Sequence, residues 1–115
     1  MAVVKNINGL AATSNQTGDA MDTGALFIKA GNIGVQAVGT GLNSADSTVQ
    51  IQQSNDGTNW DYVYDSVGSI FTITMASGTT SQSQVLTNMA LGFLRAVYTK
   101  NTNSAGTITV TFNYV

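Results

Sequence analysis

Apolar and polar residues alternate along much of this chain with a period of two. In VQIQQ (49 to 53), Val49, Ile51 and Gln53 fall on one side and Gln50 and Gln52 on the other. Successive side chains of an extended strand point to opposite faces, so this is the signature of a half-buried strand. WDYVY (60 to 64) alternates in the same way, and the cluster Ser54-Asn55-Asp56-Gly57-Thr58-Asn59 lies between the two runs. Together they predict a β-hairpin whose Asp56-Gly57 supplies the positive φ that a tight or bulged connection needs.

The same reading finds strands elsewhere. ALFIKA (25 to 30) and IGVQAVGT (33 to 40) flank Gly31-Asn32 as a second hairpin. In SIFTITM (69 to 75), Phe71, Ile73 and Met75 alternate with Ile70, Thr72 and Thr74. SQVLTNMALGFLRAVYT reads as strand, turn, strand, and TITVTFNYV places Ile108, Val110, Phe112 and Tyr114 on one face. GLNSADS, ASGTTSQ and NTNSAG read as loops. Residues 1 to 24 read as an initial strand followed by a flexible arm rich in small polar residues, and 25 to 115 as a single domain.

About eight strands at turn spacings near ten residues, with no convincing helical crossover, predict an all-β fold: an antiparallel two-sheet β-sandwich, jelly-roll-like, with a closed barrel as the alternative. The expected core is Leu26, Ile28, Val35, Val49, Ile51, Phe71, Ile73, Leu94, Tyr98, Ile108, Val110 and Phe112. A chain of 115 residues is enough for one such core.

Composition narrows the surface. Only 9% of residues are charged and the net charge is -2, against a charged share of about 25% in ordinary globular domains. Ser, Thr, Asn and Gln fill about two-fifths of the positions. Little electrostatic repulsion keeps copies of such a surface apart, so self-association is expected, with simple decoration of exposed strand faces as the plainer account. Lys5, Lys29, Arg95 and Lys100 are the basic residues; they form no patch for phosphates, and nucleic acid is not an expected partner. No run of about 18 apolar residues occurs, so neither a membrane-spanning helix nor a membrane partner is expected.

Histidine, glutamate and cysteine are absent. That excludes a Ser-His-Asp or Cys-His site, a histidine-ligated metal and a glutamate pair for glycoside hydrolysis. Enzymatic activity and cofactors are therefore not expected. Asp56, Asp61 and Asp65 match no established calcium loop; Asp56 is expected to form the turn, and Asp61 and Asp65 to face solvent. Trp60, Tyr62 and Tyr64 share one side of their strand beside Asn59. Facing water, this row would suit stacking on sugar rings or anchoring an interface; facing inward, it is core, the reading favoured for Trp60 because a large aromatic contributes most burial. Arg95, on a face with Phe93 and Val97, suggests an edge salt bridge to an aspartate or a subunit contact.

The hairpin SNDGTNW (54 to 60), with LRAVYT (94 to 99) and GTITVT (106 to 111), resembles short β-sandwich proteins of bacteriophage particles. The hairpin also resembles the discoidin-type jelly roll, without the cysteines that usually tie that domain's ends. The resemblance covers roughly Val49 to Val115 and implies a virion structural protein: a capsid decoration or head-attached protein that binds copies of itself, with a trimer suiting a shell of local symmetry, and the major capsid protein or another virion protein. The rival reading is a carbohydrate- or host-receptor-binding module of a phage fibre, taking a glycan on Trp60, Tyr62, Tyr64, Asn59 and Asp56.

Overall fold

A computed structural model describes residues 2–22, 33–86 and 92–114. Among these there is no helix, and ten strands form two antiparallel sheets. The strands are β1 (Ala2–Ala11), β2 (Gln16–Thr17), β3 (Met21–Asp22), β4 (Ile33–Leu42), β5 (Thr48–Ser54), β6 (Asp61–Tyr62), β7 (Thr72–Thr74), β8 (Gly78–Leu86), β9 (Phe93–Thr99) and β10 (Thr107–Tyr114). The first sheet has the order β1-β10-β4-β8 and the second β2-β9-β5-β6; β3 also pairs with β9, and β7 with β5. Thus β2 and β3 form one interrupted edge strand and β6 and β7 the other. Counted this way, each sheet has four strand positions and the chain alternates between the sheets except at the β5–β6 hairpin. This is jelly-roll connectivity.

Alternation explains the core. Val49 and Ile51 on β5, Leu94, Ala96 and Tyr98 on β9, and Ile108, Val110 and Phe112 on β10 all point inward and are buried, as are Ile33, Val35 and Ala37 on β4. Fully burying an aliphatic or aromatic side chain of this size contributes about 1.5–3 kcal/mol, so these central strands carry most of the hydrophobic stabilisation. Every expected core residue within the described segments is buried. Leu26, Ile28 and the rest of ALFIKA, and residues 87–91, lie outside the described residues; IGVQAVGT (33 to 40) is β4, but β10 and β8 occupy its two sides, so it is not the second strand of a hairpin with ALFIKA.

The expected initial strand is β1, which runs on to Ala11 as an edge of the first sheet. Three further expectations need correction. The stretch from there to Asp22 is not an arm: β2 and β3 pair with β9, and Ala12 and Met21 are buried. Second, 78–82, read as loop, belongs to β8. Third, the strand expected over 60 to 64 is shorter: Asp61 and Tyr62 pair with β5, the Val63 N–H still donates to the Ile51 carbonyl at 2.9 Å, and the chain then makes a separate bridge, Tyr64 to Ile70.

Side chains close both flanks between the sheets. β1 bulges between Lys5 and Ile7, which removes Asn6 from the ladder and frees its side chain to cross to the second sheet. There Asn6 Oδ1 accepts the Ala96 N–H at 2.7 Å and Nδ2 donates to the Asp19 carbonyl at 2.7 Å. The position is the break between β2 and β3, where Gly18 takes the Ala96 carbonyl at 2.9 Å. A Cβ on Gly18 would collide with Asn6 Oδ1. On the opposite flank, Gln82 Nε2 of β8 donates to the Thr74 carbonyl of β7 at 3.1 Å. Asn6→Ala is expected to lower unfolding free energy by about 1–3 kcal/mol, the cost of leaving a buried N–H without an acceptor. Denaturant unfolding measures it; a change below a few tenths would show that Asn6 is not structural.

Candidate functional site

The hairpin loop after β5 is built around one carboxylate. Ser54 is buried; its Oγ donates to Asp56 Oδ1 at 2.9 Å and accepts the Gly57 N–H at 2.9 Å. Asp56 Oδ1 also accepts the N–H groups of Thr58 and Asn59, both at 2.8 Å, and Oδ2 accepts Asn59 Nδ2 at 2.8 Å. Gly57 adopts φ +75° and lies against the Phe93 ring, 3.4 Å from where a Cβ would sit. Asp56 is therefore the turn former its sequence context implies. The Asn59 backbone N–H foremost, then Thr58, the Asn59 amide and Ser54, hold its carboxyl well below the ordinary value of 3.8. Asp46 is lowered too, first by the Ser44 hydroxyl and then by Thr102.

The sign of the pH dependence follows. A carboxyl with a depressed folded-state pKa adds stability that is fully present above its unfolded value and is lost as pH falls toward the folded one. The thermal midpoint is expected to be flat above about pH 5 and to fall below about pH 4. In Asp56→Asn the fall should be shallower, as followed by thermal unfolding from pH 6 to 2. Equal slopes in the two proteins would contradict the assignment.

Asp65 is not simply solvent-facing. Its Oδ1 accepts the N–H groups of Val67 at 3.0 Å and Ser69 at 2.9 Å, forming the turn of the 64–70 hairpin. Asp61 is exposed, as expected. With two of the three aspartates bound into their own turns, they do not converge, and no cluster of three metal-ligating side chains occurs among the described residues.

Trp60 is half-buried on the outer face of the second sheet and is not core. The Arg95 guanidinium carbon lies 4.0 Å from its ring centroid, a cation–π stack. Arg95 Nε donates to Gln52 Oε1 at 2.8 Å. Gln52 stands opposite Arg95 on β9 and opposite Tyr62 on β6, so Trp60, Arg95, Gln52 and Tyr62 form one band across three strands. Arg95 thus engages Trp60 and Gln52, where an edge salt bridge to an aspartate or a subunit contact was expected.

The five residues expected to bind a ligand do not form one site. Asp56 and Asn59 line a shallow groove of about 260 Å³ with Ser54, Asn55 and Asp61. Trp60 and Tyr62 belong to the neighbouring band, where Arg95 covers one face of the indole. Tyr64, 51% exposed, lies on the 64–70 hairpin and lines a different cleft, of about 140 Å³, with Gln84 and Val85 of β8.

A larger feature was not anticipated. A shallow groove of about 390 Å³ crosses the outer face of the first sheet, floored by Gly34, with Gln36, Ser83, Thr111 and Asn113 around it and Val3 and Val85 at its sides. Val3 and Val85 are each 60% exposed. The outward positions of β1, β10, β4 and β8 hold Thr, Ser, Gln, Asn, Val and Gly, and Lys5 is the one charged side chain among them. Thr107, Thr109, Thr111 and Asn113, which alternate in the sequence, mark the β10 part of this face; the β8 part carries no comparable pattern.

No family model, curated protein or solved structure matches the chain.

Proposed function

We propose that this protein is a non-enzymatic structural component of a bacteriophage particle, a capsid decoration or head-attached protein that acts by burying neutral surface against copies of itself and the shell. The observation that carries the binding part is the outer face of the first sheet. It is broad, hydrogen-bonding and nearly uncharged, with two exposed valines beside a groove. Such a face can be covered without desolvating charges, which would cost several kcal/mol per ion, while its Thr, Gln and Asn side chains supply hydrogen bonds. The virion assignment rests on the SNDGTNW, LRAVYT and GTITVT resemblance.

The test is recruitment of the purified protein to shells of its own particle that lack it. Thr111→Arg, which places a charge in the groove, should abolish recruitment at least ten-fold while leaving the dichroism spectrum unchanged. Full recruitment of that variant would remove this face from the mechanism. The groove at Asp56 and Asn59 beside Trp60 supports a second reading, a carbohydrate- or receptor-binding module of a phage fibre. A glycan-array signal that is lost in Tyr62→Ala, without recruitment to shells, would favour it.

A further inference from the structure

The two edges of the first sheet differ. β1 is interrupted by two register shifts, carries Lys5 and sends Asn6 across to the second sheet. Bulges and charge are the devices that stop an edge strand from pairing with another chain. β8 has none of them along its middle. From Gly39↔Thr80 to Ile33↔Leu86 its pairing with β4 is continuous, Gly78–Leu86 contains neither charge nor proline, and among the described residues β4 is its sole ladder partner. Among the described residues its outer side is a row of backbone donors and acceptors, the template onto which a further strand adds.

Apolar exposure concentrates on the same flank. Of the six exposed large apolar side chains among the described residues, Tyr64, Val67, Ile70 and Val85 belong to the 64–70 hairpin or to β8. The cleft lined by Tyr64, Ser66, Gln84 and Val85 joins the two elements. Val67 is the most exposed of all, at 83%.

We infer that β8 and the 64–70 hairpin form the self-association face of this protein, and that its occupant is a second copy paired antiparallel along β8. The inference deepens the proposed function, resting on its premise that the protein binds itself. Charge selects the occupant: in a two-fold pairing a side chain near the axis lies opposite or diagonal to its own counterpart, so a charge there would repel its copy, and 78–86 has none. Ser81 and Ser83, short and exposed on the outer face, flank the strand centre and let the backbones approach. Antiparallel pairing about that centre sets Val85 of one copy beside Thr79 of the other. It also brings each hairpin toward the start of the other β8, where nothing lies within 4 Å of the Gly78 Cβ position. The two sheets then continue as one of eight strands, with both grooves on one side.

Sedimentation of the full chain tests this without a shell. Wild type should approach twice 11.9 kDa as concentration rises. Ser83→Lys and Ser83→Asp should each associate at least ten-fold more weakly at unchanged thermal midpoint, an equimolar mixture of the two should regain the dimer, and Leu10→Lys on the opposite edge should behave as wild type. A wild-type mass of one or three chains at all concentrations overturns the inference. So do undiminished association of both Ser83 variants and dissociation without rescue in the mixture. Failure to bind shells by a dimeric wild type would count against the proposed function alone.

Discussion

Replacing Asn103 with alanine is expected to lower the unfolding free energy by about 3 kcal/mol and the thermal midpoint by about 10 °C. Asn103 is fully buried in the loop between β9 and β10. Its Nδ2 donates to the carbonyls of Ala12 at 2.9 Å and Ala105 at 2.8 Å, and its Oδ1 accepts the Asn43 N–H at 2.9 Å. One side chain therefore ties together the β1–β2, β4–β5 and β9–β10 connections at one end of the sandwich. Removing it leaves buried backbone groups without partners, at about 1–3 kcal/mol each before water enters the cavity. Tyr98→Phe is the informative companion. The Tyr98 hydroxyl donates to the same Ala12 carbonyl at 2.9 Å, so its loss alone should cost about 1 kcal/mol while Asn103 remains. Because the two share an acceptor, the double variant should be non-additive by 0.5 kcal/mol or more, a value typical of residues in one network, about 0.5–3 kcal/mol. Additive behaviour, or an Asn103→Ala loss under 1 kcal/mol, would show that water replaces the side chain without penalty.

The same end of the molecule is held on its surface by Asp46. Thr102 Oγ1 and Ser44 Oγ donate to its carboxylate, both at 2.6 Å, and Asn101 Nδ2 donates to its backbone carbonyl at 2.7 Å. Asn43 and Ser104 add a reciprocal pair at 2.8 and 2.9 Å. Asn, Ser and Thr take over in these loops the fixing role that proline often has elsewhere, which gives a physical account of a chain with none.

Legibility from sequence followed burial. β5, β9 and β10 lie in sheet interiors with one face on the core, so hydrophobic and polar residues alternate and the strands, their inward residues and the sandwich could be read directly. β8 could not be read over its first half. It is an edge strand, and its inward positions Thr80, Gln82 and Gln84 are polar, so no periodicity distinguishes it from a loop. The stretch that follows the initial strand was obscured for a related reason: β2 and β3 are two residues each, and Asn6 replaces the backbone bond missing between them. The aromatic row misled in the opposite direction. Trp60, Tyr62 and Tyr64 do alternate, yet Tyr64 pairs with Ile70 and leaves the other two, because the chain parts from β5 after the Val63 N–H has bonded to Ile51. Side-chain bonds over long sequence separations, such as Asn103 to Ala12 or Asn6 to Ala96, leave no local pattern at all.

Gly106→Ala is expected to destabilise by about 3 kcal/mol or more, and a matched glycine separates the causes. Gly106, just before β10, has φ +88°, and a Cβ there would lie 2.2 Å from the Thr40 carbonyl oxygen and 2.8 Å from the Gly41 carbonyl. Both obstacles are backbone, so no flexible side chain can yield. Gly106 also accepts the Ala12 N–H at 2.9 Å, and displacing it would disturb the connection that Asn103 holds from the other side. Gly68 has nearly the same φ, +85°, in the 64–70 hairpin, with nothing within 4 Å of its Cβ position. Gly68→Ala should therefore show only the left-handed backbone penalty of about 1–2 kcal/mol. The excess at Gly106, measured by denaturant unfolding of the two variants, reports how closely β4 and the approach to β10 pack. Equal losses would mean that the Thr40–Gly41 backbone moves aside freely and that this end of the sandwich is looser than its hydrogen bonds imply.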